Sequence, residues 1–161
     1  MRVLRLCRIL SFAVLFGFCG TSAAMVAADA EPTGVRDFVN QVIAYELRND
    51  TTMRDEAFLA FFTPRFRAAI AKDMAGPELG LIDTDFLCES QTGEVKIRIL
   101  ALAGSENAAA VKIKSWPFGA SPPATLTWHL LRDGQSWRIS DVEAAPGSSL
   151  LANLERSNQR H

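Results

Sequence analysis

The sequence has no excess of charge of one sign and few of the residues from which common catalytic signatures are built. Its 161 residues include 17 Lys and Arg against 18 Asp and Glu, and this balance excludes a strongly basic nucleic-acid binder. It contains no glycine-rich phosphate loop, no His-Glu-x-x-His segment and no Cys-x-x-Cys pair. Gly and Pro are few, at 10 and 7, and 48% of the residues are hydrophobic, which excludes global disorder and indicates one folded domain.

Residues 1–30 are organised like a secretory signal peptide. Three arginines within the first eight residues precede an apolar run at residues 9–19, and small residues follow it. We therefore expect this leader to be cleaved and the protein to be periplasmic, in a Gram-negative envelope, or secreted. Two alternatives are an uncleaved membrane anchor and a lipoprotein modified at Cys19, although the bulky Phe18 lies where a small residue is favoured.

The chain that follows is predicted to form one domain, residues 31–157, with a frayed tail at 158–161. Without the leader, Cys88 is the only thiol, which excludes an internal disulfide, so the fold must depend on its apolar core.

Helices are predicted in the first half of this domain. Apolar residues recur at helical spacing over residues 35–49, with Thr33 as the candidate N-cap. A second apolar run, residues 57–62, predicts a short helix. Thr63 followed by proline predicts the start of a third helix, which we expect to end near Gly76.

After residue 93 the apolar period changes to two, which predicts four strands. The inner face is predicted to comprise Val95, Ile97, Ile99, Val111, Ile113, Leu126, Trp128, Leu130, Trp137 and Ile139. In the first strand, Ala101 continues the alternation of Ile97 and Ile99. Leu102 is assigned to the opposite face, Asp133-Gly134 predicts a tight hairpin, and Ser148 is the candidate cap of a last short helix. This order predicts an α+β fold, in which N-terminal helices pack on a curved four-stranded antiparallel sheet and a short C-terminal helix follows.

Several segments resemble a known family. They are the helix around residues 38–47, the segment 81–86 with Gln91, the ending Asp133-Gly134-Gln135-Ser136-Trp137-Arg138-Ile139-Ser140-Asp141-Val142, and residues 147–150. Together they resemble the bacterial exported proteins grouped as domain of unknown function 3828. The resemblance implies the cystatin-like cone fold of nuclear transport factor two and a location in the envelope. It implies no established activity, so no catalytic residue is carried over.

The predicted inner face either packs solidly on the helices or lines a hydrophobic pocket. The candidate pocket residues are Trp128, Trp137, Ile97, Ile113 and Phe38. No titratable group lies across its centre, and only Asp141 and Glu143 share its parity, at the end of a strand. This argues against catalysis, which needs acids or bases in the pocket. The alternative is a cone-fold enzyme that uses Asp83, Asp85 or Asp141.

The opposite face carries basic residues and His129. The candidates for a basic surface are Lys96, Arg98, Lys112, Lys114 and Arg138. They favour an anionic partner such as lipid headgroups, a polyanionic glycan or an acidic protein surface. The alternative is an ordinary solvated face, whose lysines hinder edge pairing.

Neither a metal nor a cofactor is expected. Asp83, Asp85 and Glu89 offer carboxylates for a divalent cation, but apolar residues occupy the positions where further calcium ligands should follow. Cys88 is expected to be a buried hydrophobe, and the alternative is a reactive or partner-linking thiol. The sequence therefore predicts a non-catalytic binding domain, monomeric or weakly dimeric, for an envelope protein or a small hydrophobic molecule, with no nucleic acid. An inhibitor or immunity-like protein is a further alternative.

Overall fold

The computed structural model of the protein describes residues 31–48, 54–75, 80–82, 85–88, 95–117 and 122–159. The predicted leader, Asn49, Gly76, Asp83 and Glu89 lie outside the described residues. Three helices precede four consecutive strands and a last helix, which confirms the α+β class. None of the helices in the described ranges has the length and apolar character that crossing a membrane requires.

Helix α1, Val35–Glu46, buries Val35, Val39 and Val42. The prediction that Thr33 caps it is wrong. The N-cap is Gly34, in a left-handed conformation with φ of 79°, and it makes no side-chain capping bond. The carbonyl of Thr33 instead accepts a hydrogen bond of 3.1 Å from Trp137 Nε1, which fixes the start of the helix to the sheet.

Helices α2, Glu56–Leu59, and α3, Pro64–Met74, bring aromatic side chains together. The predicted cap of α3 is confirmed, because Thr63 Oγ1 accepts a hydrogen bond from Phe66 N. Four phenylalanine rings from these helices, their connection and the turn at residues 85–88 form ring contacts with centroids 5.0 to 6.0 Å apart: Phe58, Phe62, Phe66 and Phe86. This cluster joins the helical layer to the turn.

The sheet is antiparallel, in the order β1-β2-β3-β4. Its strands are β1, Val95–Gly104; β2, Ala108–Pro117; β3, Ala124–Asp133; and β4, Ser136–Glu143. The predicted hairpin is present, with Gly134 at φ of 61° between β3 and β4. Backbone hydrogen bonds between Ile139 and residues 61 and 63 cover the edge of β4, and β1 forms the other edge of the sheet.

Two β-bulges shift the predicted alternation. The register of β1 against β2 slips between Ile99 and Ala101, so Leu102, and not Ala101, packs against the core. The register of β3 against β4 slips between His129 and Leu130, which places Val142 opposite the buried Trp128. The spacing predicted that Asp141 and Glu143 share the inner face with Trp137. Because of this register shift, they lie on the opposite face.

The last helix, α4, is Leu150–Ser157, and it buries Leu151 and Leu154. Its cap is Ser149, whose Oγ accepts from Ala152 N at 3.0 Å, so the assignment of Ser148 as the cap is wrong. The tail that was predicted to fray begins with a buried residue, Asn158, whose side-chain amide donates 3.1 Å to the carbonyl of Ala69 in α3.

Candidate functional site

The outer face of the sheet is the face opposite the core, and the first turn of α4 touches it at Asp141, on the β4 side. Directly paired residues of antiparallel strands share a face, so the register gives its composition. From one end to the other its rows are Lys96 and Trp116; Arg98, Lys114 and Thr125; Ala101, Lys112, Thr127 and Glu143; Ala103, Ala110, His129 and Asp141; and Ala108, Leu131 and Arg138. The face therefore changes from basic to apolar along the strands.

At its basic end, four cations lie on neighbouring positions of β1 and β2, and two of them lie over an indole ring. We call Lys96, Arg98, Lys112, Lys114 and Trp116 the basic patch. The half-buried Trp116 has Lys114 Nζ at 5.2 Å and Lys96 Nζ at 5.9 Å from its ring centroid. Cation–π attraction holds these ammonium groups close together despite their like charge.

The salt bridges among the described residues leave the basic patch out. They join Arg36 to Glu31, Arg65 to Glu155 and His129 to Glu143, and none of these pairs includes a cation of the patch. Four predicted basic residues are thus brought together on β1 and β2. Arg138 shares their face but lies at its other end, on β4.

The carboxylates at the β4 side of the outer face make local contacts. Glu143 Oε2 lies 3.4 Å from His129 Nε2. Asp141 Oδ1 accepts hydrogen bonds from the backbone N–H groups of Val142 and Leu151, at 2.8 and 2.9 Å. Asp141, a candidate of the enzyme alternative, thus connects β4 to the first turn of α4.

The candidate pocket residues separate into two groups. Trp128 and Ile113 are fully buried in the packed core, and Ile97 packs against it. Phe38 and Trp137 lie along the wall of an open cleft of about 380 Å³. Phe61 and Gly34 also line it, and its polar lining includes Arg132. A hydrophobic ligand at Phe38 and Trp137 stays a prediction.

A buried carboxyl group lies beside the core, contrary to the expectation that the sheltered interior holds nothing ionisable. It comes from helix α1 and not from the sheet: Glu46 is only 8% exposed. Burial first, and then the hydrogen bond and charge of Asp85, raise the pKa of Glu46 to about 10. The absence of acids on the sheet face therefore no longer argues against chemistry in the interior.

Asp85 joins Glu46 to the single described cysteine. The thiol of Cys88 donates to Asp85 Oδ2 at 3.1 Å, and Asp85 Oδ1 accepts from Leu87 N at 2.9 Å. Ligand atoms of Glu46, Asp85 and Cys88 all lie within 4.8 Å of one another. We call these three residues the buried acid–thiol cluster. Of the calcium candidates, Asp85 alone is described.

Sequence reasoning missed Trp116 and Glu46, although each had a signal. Trp116 continues the parity of Lys112 and Lys114 along β2, which places it on the basic face. Glu46 follows Val42 by four residues, on the buried stripe of α1. Its closeness to Asp85 depends on tertiary packing, which no local spacing reveals.

Comparisons with known proteins give little beyond this geometry. No family model matches the chain, and no curated protein does. Among solved structures the chain is similar to one described as the crystal structure of the type VI native effector–immunity complex Tae3–Tai3 from Ralstonia pickettii. The TM-score is 0.47 at 13% sequence identity, over 72% of this chain and 97% of that chain.

Proposed function

We propose that this chain is an exported binding domain that docks an acidic protein surface on the outer face of its sheet. One observation carries the proposal: four basic side chains lie on neighbouring positions of β1 and β2, two of them over Trp116, and three of the four are exposed. Export rests on the signal-peptide pattern of residues 1–30.

The charge of the basic patch argues for an acidic partner. Lys96, Arg98 and Lys112 are exposed, and each is free of a salt bridge to the described residues. Exposed like charges that lack local counter-ions steer an oppositely charged partner toward this end of the face.

The apolar end of the same face favours a protein over a lipid or a glycan. Leu131 is 46% exposed there, beside a shallow trough lined by Ala103, Ala108 and Ala110. Four strands about 4.8 Å apart and about 33 Å long give roughly 600 Å², comparable with one side of a standard protein interface. Apolar area beside charged area is typical of such interfaces.

The test compares two charge-reversal variants of the full chain. In one, Lys96→Glu, Arg98→Glu and Lys112→Glu invert the basic patch. In the matched control, Arg138→Glu changes the same face at its other end. Both are used to capture proteins from an envelope extract at low and high salt, and both are mixed with vesicles of phosphatidylglycerol and phosphatidylcholine.

We expect an acidic protein to be retained by the unmodified chain and by Arg138→Glu, to be lost at high salt, and to be lost by the triple variant. Retention of the same proteins by the triple variant would show that the basic patch is not the docking site. Binding to the anionic vesicles alone, lost in the triple variant, would replace the proposed protein partner with a lipid surface.

A further inference from the structure

The buried acid–thiol cluster joins donors from two separate parts of the chain. Glu46 is the last residue of α1, and Asp85 and Cys88 belong to a turn that follows 39 or more residues later. Their ligand atoms lie within 4.8 Å of one another. Carboxylate and thiolate groups so close together carry negative charge that the interior must neutralise, either with protons or with a cation.

One carboxyl oxygen of the cluster is unsatisfied. Glu46 is only 8% exposed, and its Oε1 has no hydrogen-bond partner among the described residues. Buried polar atoms are paired in the great majority of native structures, so an orphaned carboxyl oxygen indicates a ligand that completes it. Leaving it unpaired costs free energy that a bound ion would recover.

The end of helix α1 adds to the preference for a cation. The last carbonyl groups of a helix carry a partial negative charge, and Glu46 occupies the final helical position. The potential at this position therefore disfavours a second negative charge and favours a positive ion.

The turn that supplies the other two donors is held rigidly. The carbonyl of Leu87 accepts from Trp128 Nε1 at 3.2 Å, and the carbonyl of Cys88 accepts from the hydroxyl of Ser115. The ring of Phe86 packs in the phenylalanine cluster. The sheet and the helices thus fix the positions of Asp85 and Cys88 before any ion binds, as a preorganised site requires.

We propose that Glu46, Asp85 and Cys88 bind one divalent ion of the zinc class. Calcium and magnesium prefer six or more oxygen ligands, whereas a thiolate with carboxylates suits Zn²⁺ in a tetrahedral site. With bonds of about 2.0 to 2.3 Å, such ligands lie about 3.5 Å apart, which falls within the 4.8 Å limit on the separations of these three donors. Binding releases the Cys88 thiol proton and the carboxyl proton to solvent, and three protein ligands leave a fourth position open.

The test measures metal binding to the folded protein, expressed from the full chain. Cys7→Ser and Cys19→Ser make Cys88 the only thiol, because the sequence holds three cysteines. The chelator-treated protein is titrated with Zn²⁺ by calorimetry and with Co²⁺ by absorption, where a thiolate ligand gives an intense near-ultraviolet band. We expect one ion per chain and a cobalt–thiolate band.

Glu46→Gln, Asp85→Asn and Cys88→Ser are each expected to weaken Zn²⁺ binding at least about tenfold, the cost of losing even an outer-shell partner. Cys88→Ser must also abolish the cobalt band. Glu46→Gln is decisive, because it keeps the size of the side chain and its fold is checked by circular dichroism. Glu155→Gln, an exposed carboxylate in α4, is the matched control.

Two results would overturn the proposal. One is that the unmodified protein binds Zn²⁺ no more tightly than the Cys88→Ser variant does. The other is equal Zn²⁺ affinity of the unmodified protein and the Glu46→Gln variant. The site lies on the inner side of the sheet, so the triple charge-reversal variant of the basic patch is expected to bind Zn²⁺ normally, which separates the two proposals.

Discussion

The two faces of the sheet are built from the same alternating strands but have opposite character. The inner face buries Val111, Ile113, Trp128 and Ile139, whereas the outer face carries lysines, arginines and alanines open to solvent. Both β-bulges maintain this separation, because each reverses the side-chain alternation for the rest of its strand. As a result, Leu102 in β1 and Val142 in β4 face the core. The comparison teaches that the boundary between core and surface depends here on two single-residue shifts in register as much as on the alternation itself.

The largest expected effect comes from the inner face. Trp128→Ala removes a fully buried side chain and leaves the Leu87 carbonyl without its hydrogen bond, so we expect the free energy of unfolding to fall by about 3 to 5 kcal/mol. Urea denaturation measures it. Thr127→Ala, the neighbour on the outer face, is the control and should change stability by about 0.5 kcal/mol or less. Similar losses for both would contradict the separation of the faces.

The next effect depends on pH and concerns the buried carboxyl. Its folded-state pKa, about 10, lies above the ordinary 4.5, so the native state holds a proton that the unfolded chain releases. The contribution of Glu46 is therefore fully present below pH 4.5 and is lost as the pH rises toward 10, by about 1.4 kcal/mol per pH unit at most. A glutamine at this position does not titrate, so the free energy of unfolding of Glu46→Gln should not show this fall as the pH rises.

With chelator present, Glu46→Gln should thus be more stable than the unmodified protein at pH 7, by up to about 3 kcal/mol, and nearly equal to it near pH 4.5. Urea denaturation at several pH values measures the difference. Glu106→Gln, in the exposed turn between β1 and β2, is the control and should follow the unmodified protein. An unchanged pH dependence in Glu46→Gln would mean that this carboxyl is ionised in the folded state.

A smaller effect tests the bulge in β1. Leu102 packs against the core, while Leu100 is 46% exposed on the outer face. Leu102→Asp should therefore cost about 1 to 3 kcal/mol, because it places a charge at the margin of the core. Leu100→Asp should change stability by about 0.5 kcal/mol or less. Thermal or urea denaturation of the two variants measures which of them loses more stability. A larger loss for Leu100→Asp than for Leu102→Asp would mean that the register shift lies elsewhere in β1.

Most of the fold was predictable because its periodic segments are long. The alternation in β2 and β3 correctly placed Ile113, Leu126 and Trp128 inside, and the Thr63 cap of α3 was readable from the proline that follows it. Alternation failed only beyond the bulges, at Leu102 and Asp141, because one extra residue reverses the parity of everything after it.

The candidate sites were predictable in part, for a related reason. Neighbouring strands join by short hairpins, so the spacing of Lys96, Arg98 and Lys112 sufficed to predict a shared face. Glu46 and Asp85 meet through the packing of a helix against a distant turn, and nothing in either local sequence specifies that contact. The cap of α1 was also mispredicted: the helix begins one residue later, after Gly34 in a left-handed conformation, and the Thr33 carbonyl is bonded to Trp137 of the sheet, a contact that local sequence does not specify.

The place of β1 at the end of the strand order has a consequence for self-association. One long side of this ten-residue strand has unpaired main-chain groups that no described element covers, a template onto which a second molecule could add its own strand. A copy that adds its own β1 in parallel and in register would bring its Lys96 and Arg98 alongside those already present. Mutual repulsion then keeps the molecules apart at low ionic strength, and added salt weakens that protection.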